Sequence, residues 1–257
     1  METIDLSYKD FKNINLSFEE NMYYSIIGSN NSGKTTLFKL LTGIIPSNNA
    51  VYCNKISLNK ENIYKYIVNL GVVERVNNNS FIYNLVIDEM MYPLRNLGVS
   101  KKNSLNRINE VLSIFNASDL LNKKISDLNY YDKELLLIMI SILHKPKVLL
   151  LDDVLELFNN NKNKIIKNIK KAVDNITIIN FTNDLKEAYE SDKIILISNK
   201  KIVGEYLPSD IYKDDKLFYE HNLEIPFLVD LSVKLKMYNL VDKEYKSMKA
   251  MVDDLWP

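Results

Sequence analysis

Gly28-Ser29-Asn30-Asn31-Ser32-Gly33-Lys34-Thr35-Thr36 has residue types and a spacing that can do chemistry, because it fits G-x-x-x-x-G-K-[ST] at every position. In this arrangement successive backbone N–H groups curl around a phosphate, and the following helix presents its positive end to the same anion. Gly28 and Gly33 let the backbone turn, Lys34 neutralises phosphate oxygens, and the Thr35 hydroxyl is placed to ligate Mg²⁺. Asn31 stands where a left-handed backbone is useful, which asparagine tolerates better than most residues. Asn30, Ser32 and Thr36 complete the set of candidate nucleotide contacts. The chain contains only 6 glycines, so two at the required spacing argue against coincidence.

A second acidic element supports this reading. Val148-Leu149-Leu150-Leu151-Asp152-Asp153 is an aliphatic strand ending in carboxylates, the form of a Walker B segment, and it makes Asp152 the candidate for the Mg²⁺ shell. The elements that must position these groups follow from periodicity. Ile4 to Tyr8 and Ile14 to Phe18 alternate and read as two strands of a small antiparallel sheet, and Met22 to Ile27 is the buried strand that feeds the loop. Thr35 to Thr42 is helical, with Gly43 as its stop. Ala50 to Ile56 reads as a strand, Lys60 to Asn69 as a helix and Gly71 to Val76 as a strand. Over Leu85 to Leu94, Lys102 to Phe115 and Ser118 to Leu121 the apolar spacing is helical, and Asp132 to Leu143 and Lys162 to Val173 are further helices. Ile176 to Phe181 and Lys193 to Ile197 are buried strands, and Lys201 to Tyr206 closes a hairpin. The expected fold is an α/β P-loop NTPase with an antiparallel β subdomain, a helical insertion and a small helical C-terminal extension. Its expected division is residues 1–207 for the nucleotide-binding domain, helical over about 80–145, and 208–257 for an extension suited to dimerisation.

Composition narrows the classes. The 33 basic residues balance 33 acidic ones, so no bulk field draws the chain to nucleic acid, and none is expected as a partner. A single cysteine, Cys53, precludes an intrachain disulfide and fits a reducing compartment, while two histidines, His144 and His221, offer little for a metal centre. No secretion signal is expected from the first residues, and the longest apolar run, Leu135 to Leu143, is about half a membrane span.

Together these elements resemble an ATP-binding cassette (ABC) ATPase over residues 1 to 207. The resemblance implies ATP and Mg²⁺ as ligands and places Tyr8 where such proteins stack an aromatic ring on adenine. Leu94-Arg95-Asn96-Leu97-Gly98-Val99, the tail Leu223 to Leu231 with Ile225-Pro226-Phe227, and the ending Met251 to Trp256 are similar to the A subunits of energy-coupling factor (ECF) transporters. That family implies a peripheral subunit at the cytoplasmic face of the membrane. Its expected partners are a second cassette, in a heterodimer, and an integral membrane subunit, and the cargo is a small nutrient such as a vitamin or metal ion.

Several positions depart from the pattern that the resemblance implies. The signature position reads Asn129-Tyr130-Tyr131, so two tyrosines stand where bare glycine backbone approaches a partner's phosphate. The catalytic glutamate position holds Asp153, one methylene shorter, and errors near 1 Å can cost about a hundredfold. The switch histidine position holds Asn183, which can hydrogen-bond but cannot take up a proton at neutral pH. Arg75 stands at the Q-loop glutamine position, where it is expected to repel Mg²⁺ or touch phosphate, and the D-loop position reads Glu156-Leu157-Phe158-Asn159. The expectation is nucleotide binding with impaired hydrolysis. The alternatives are a pseudo-ATPase acting as a structural or regulatory partner, and a soluble non-transport ABC protein.

Overall fold

Strands β1 (Glu2–Tyr8) and β2 (Phe11–Ser17) open the chain as an antiparallel pair in a computed structural model that describes residues 1–211, 215–223, 227–241, 245 and 248–255. The expected alternation is interrupted at Asp5, whose φ of 48° coincides with a register shift. The bulge turns Ile4 to solvent while Leu6 stays buried. Strand β3 (Tyr23–Ile27) is buried throughout and feeds α1 (Lys34–Thr42), which Gly43 ends in a left-handed conformation.

The single strand expected over Ala50 to Ile56 is instead a tight hairpin of β4 (Val51–Cys53) and β5 (Ile56–Ser57). Its two-residue turn, Asn54-Lys55, has φ values of 50° and 62°, a conformation usually signalled by glycine and here supplied without one. The next helix, α2, spans only Ile63–Ile67, because the Asn59 side chain accepts from the backbone N–H groups of Glu61 and Asn62 and competes with an earlier helical start. β1, β2, β4 and β5 form one sheet in the order β2-β1-β4-β5.

After β6 (Leu70–Glu74) the chain leaves for α3 (Val86–Asn96), α4 (Lys101–Phe115) and α5 (Tyr130–Ile142), then returns as β7 (Val148–Asp152) directly beside β6. Buried Arg107 of α4 fastens this excursion. Its guanidinium donates to the carbonyls of Ile142, Leu143 and Ala172 at 3.1, 3.0 and 2.9 Å, satisfying acceptors at the ends of two other helices. A 3-10 segment, Leu155–Asn161, leads into α6 (Lys162–Ala172) and β8 (Thr177–Thr182). The short α7 (Leu185–Ala188), β9 (Lys193–Ser198) and antiparallel β10 (Lys201–Tyr206) complete the main sheet, ordered β10-β9-β3-β8-β7-β6.

Alternate residues of the central strands face opposite cores. Leu149 and Leu151 pack with α3, α4, α5 and α6, while Val148 and Leu150 pack with α1 and the small sheet. Beyond the sheet lie α8 (Pro208–Ile211), α9 (Asp215–Glu220), α10 (Phe227–Met237) and α11 (Met248–Leu255). Ile211, Leu217 and Phe218 pack against Ile194 and Leu196 of β9, whereas Val241, Tyr245 and Met251 gather with α10 leucines in a separate cluster. Of the tail residues singled out above, Glu224, Ile225, Pro226 and Trp256 lie outside the described residues. Among the described residues no helix is long and apolar enough to cross a membrane.

Candidate functional site

Five parallel strands end on one edge of the main sheet, and that edge collects most of the candidate groups. The loop Gly28 to Thr36 leaves β3, Asn183 follows β8, Asp152 and Asp153 end β7, and Glu74 and Arg75 end β6. None of these proximities is visible in sequence spacing. They follow from strand order.

The loop is built tightly. A Cβ on Gly28 would lie 2.3 Å from the Ile197 carbonyl oxygen and 2.6 Å from Ser32 Oγ, so this glycine is required by close approach rather than by a turn. Gly33 has φ 114° at the start of α1, and a Cβ there would meet the Phe11 ring at 2.6 Å. Asn31 has φ 65°, the left-handed conformation anticipated for it. The loop is also held from outside, where the Lys200 backbone N–H donates to the Ser32 carbonyl at 2.8 Å and the Lys200 side chain pairs with Asp10. Phe11 and Lys200 carry no local sequence signal of this role, because each reaches the loop from a different strand hairpin.

Electrostatically the loop suits an anion. No side chain caps α1, so its first N–H groups are free of side-chain acceptors. Among the described residues the Ser32 hydroxyl, which is buried, has no hydrogen-bond partner. Lys34 is buried, and its ammonium donates to the Gly28 and Ser29 carbonyls at 2.6 and 3.2 Å. Burial lowers its pKa, against the opposing charges of Asp153 and Asp152. An uncapped helix start, an orphaned hydroxyl and a lysine held inside the loop together fit a polyphosphate. Thr35 is exposed on the first turn of α1 and Thr36 is half-buried beside it.

Asp152 faces Glu74 in register across β6 and β7. Burial, then the charges of Asp153 and Glu74, push its pKa up to about 6. Among the described residues no three His, Cys, Asp or Glu side chains gather to hold a metal on their own. A site with one carboxylate and one hydroxyl suits Mg²⁺ that takes its other ligands from phosphate and water. Asp153 has φ 54°, a region where aspartate is favoured over longer side chains, and its N–H donates to the Phe181 carbonyl at 2.9 Å. Asn183 Nδ2 donates to Asn30 Oδ1 at 3.1 Å, linking the end of β8 directly to the loop.

Most of the remaining candidates have protein partners of their own. Arg75 Nε donates to the Asp153 carbonyl at 2.8 Å, and its guanidinium is paired with Glu156. Glu156 is a carboxylate partner that nothing in the local sequence around Arg75 signals. Asn129 caps α5 by accepting from the Asp132 N–H at 2.8 Å, so the helix starts two residues earlier than expected. Tyr130 is 71% exposed, while the Tyr131 ring packs edge-on against Phe158 at 4.9 Å. Tyr8 ends β1 opposite Phe11, with the Lys9 ammonium 5.3 Å from its ring centroid.

The family profile described as ABC transporter matches residues 11–156. The energy-coupling factor transporter ATP-binding protein EcfA1 of Lactobacillus acidophilus is 29% identical over 230 residues, 87% of this chain and 81% of that protein. Its namesake in Oenococcus oeni is 25% identical over 268 residues, covering 100% of this chain and 97% of that one. The solved structure of CbiO1 from Clostridium perfringens, described as part of the ABC transporter complex CbiONQ, superposes with a TM-score of 0.75. It covers 90% of this chain and 97% of its own at 22% identity, a likeness of fold. Since the matched stretch exceeds half of the 257 residues and runs from the β1–β2 hairpin through the phosphate loop to the end of β7, this chain belongs to the ABC transporter family.

Proposed function

We propose that this chain is the ATP-binding subunit of an ECF-type transporter, holding MgATP in the Gly28–Thr36 loop while its own hydrolytic machinery is impaired. The observation that carries the reading is the loop itself, with Lys34 drawn onto the Gly28 and Ser29 carbonyls and the Ser32 hydroxyl buried without a partner among the described residues. Bound ATP supplies the phosphoanhydride whose cleavage energises transport. Lys34 and the α1 N-terminus bind its phosphates, Thr35 and Asp152 hold Mg²⁺, and Tyr8 offers an aromatic face to adenine.

Impairment rests on the groups around the cradle. Asp153 is a short base, Asn183 carries no exchangeable charge at neutral pH, and Tyr130 and Tyr131 occupy the position that meets a partner's nucleotide. A heterodimer with a more conventional cassette follows from these losses, docked at the cytoplasmic face on an integral membrane subunit. Residues 1–207 then form the nucleotide-binding unit, with helical insertion about 80–145, and 208–257 serve dimerisation. The names of the EcfA1 relatives support the transport assignment.

Binding of radiolabelled ATP by the purified chain, compared with Lys34→Ala, tests the first half. Saturable binding lost in the variant is the expected result. Brisk, ordinary turnover by the isolated homodimer would sink the second half.

A further inference from the structure

We propose that Arg75 reads the terminal phosphate of the bound nucleotide and that Glu156 is its built-in competitor, so that the pair sets the preference for nucleoside triphosphate over diphosphate. The inference rests on the reading of Gly28–Thr36 as a nucleotide cradle. Arg75 leaves β6 on the same sheet edge as that loop, and its Nε is anchored on the Asp153 carbonyl at 2.8 Å. The following peptide is pinned as well, since the Val76 N–H donates to the buried Glu134 carboxylate at 2.9 Å. The Arg75 backbone and Nε are therefore fixed while its side chain as a whole remains 56% exposed.

That head stands at an acidic rim. Glu74, Asp152, Asp153 and Glu156 lie along the ends of β6 and β7 and the segment that follows, and the Asp152 and Asp153 charges are felt at Lys34. A polyphosphate brought into this rim needs compensating positive charge. Arginine is always charged, and its fork matches a phosphate in a bidentate fashion. The pair it now makes is with a side chain 66% exposed, so solvent screens it and little is lost by exchange. A terminal phosphate carries more charge than a carboxylate and draws the guanidinium from Glu156. A diphosphate does not extend as far and leaves the Arg75–Glu156 pair in place.

The test is equilibrium binding of radiolabelled ATP and ADP, with Mg²⁺, to the full chain and to Arg75→Met, Arg75→Lys, Glu156→Gln and Lys34→Ala. Arg75→Met should weaken ATP about tenfold and ADP less than about twofold, the loss of one charge-assisted contact to the terminal phosphate. Arg75→Lys should recover part of the preference as a point charge. Glu156→Gln should tighten ATP by roughly threefold and leave ADP unchanged, an opposite shift that loosened structure would not produce. Lys34-dependent ATP binding whose ATP-to-ADP ratio is unmoved by Arg75→Met and Glu156→Gln overturns this inference alone, as does an equal loss of both nucleotides in Arg75→Met. A wild-type chain whose ATP binding is absent, or unchanged in Lys34→Ala, overturns the cradle reading and this inference with it.

Discussion

Lys162, the first residue of α6, places its ammonium 2.8 Å from the carboxylate of Glu187, which is 2% exposed on α7 just beyond Asn183. Asp184 and the Asn180 amide complete the cluster at 3.0 Å from Lys162 and 2.5 Å from Glu187 respectively. The network joins the start of α6 to the loop carrying Asn183. Removing one partner leaves a charge stranded. Lys162→Met should therefore destabilise the chain by about 3–5 kcal/mol, and Glu187→Gln, which keeps hydrogen-bonding capacity, by roughly 1–2 kcal/mol. Denaturant unfolding of the purified chain measures both, and equal, small effects would count against a buried ionic network.

Gly33→Ala should damage both stability and binding. Its φ of 114° is strained for any L side chain, and the new methyl would strike the Phe11 ring. A loss of roughly 1–3 kcal/mol in thermal or denaturant unfolding is expected, together with a fall in ATP affinity of at least about tenfold. Wild-type affinity in this variant would contradict the loop geometry.

Asp152 makes a pH prediction whose sign is specific. Its folded pKa is raised, to about 6 from the ordinary 3.8, so ionising it costs the folded state stability above pH 6. That cost is relieved as the pH falls through about 6 toward 4. Asp152→Asn should accordingly stabilise the Mg²⁺-free chain at pH 7 by about 1–3 kcal/mol, with the gain vanishing near pH 4. Mg²⁺-dependent ATP binding by the wild-type chain should weaken as the pH drops below about 6, because the carboxylate must be ionised to hold the metal. Thermal melts and binding isotherms across pH 4 to 8 would reveal a different sign at once.

The proposed impairment predicts that substituting five departing positions raises turnover. Asn129→Ser, Tyr130→Gly and Tyr131→Gly rebuild the signature, and Asp153→Glu with Asn183→His rebuilds base and switch. The fivefold variant should release phosphate at least about a hundredfold faster than the wild-type homodimer, in line with a positioned general base. The signature changes alone should not suffice. Asp153→Glu carries its own penalty of about 1 kcal/mol from the left-handed φ of 54°. Wild-type turnover equal to that of the restored chain would remove the case for impairment.

Long, strongly periodic elements were legible in the sequence, as were the loop and the strand that ends in Asp152. The misreadings have local causes. Asn54-Lys55 turns a hairpin without glycine, Asp5 hides a bulge within an alternating run, and Asn59 shortens α2 through its side chain. The external supports of the site were not legible. Phe11 behind Gly33, Lys200 on Ser32 and Glu156 on Arg75 involve partners separated by between 22 and 168 residues of chain, and no periodicity encodes such pairings.

The amino-acid order determines the glycine-and-lysine loop pattern, because its residues act within nine consecutive positions, and it suggests which positions depart from the cassette pattern. Only the tertiary structure decides what the replacements touch. The order β10-β9-β3-β8-β7-β6 brings Asn183 to Asn30 and sets Arg75 beside Asp153 and Glu156. Strand pairing converts distances along the chain into neighbours at one sheet edge, where burial and then the neighbouring carboxylates raise the Asp152 pKa and Arg75 is held on the Asp153 carbonyl and paired with Glu156.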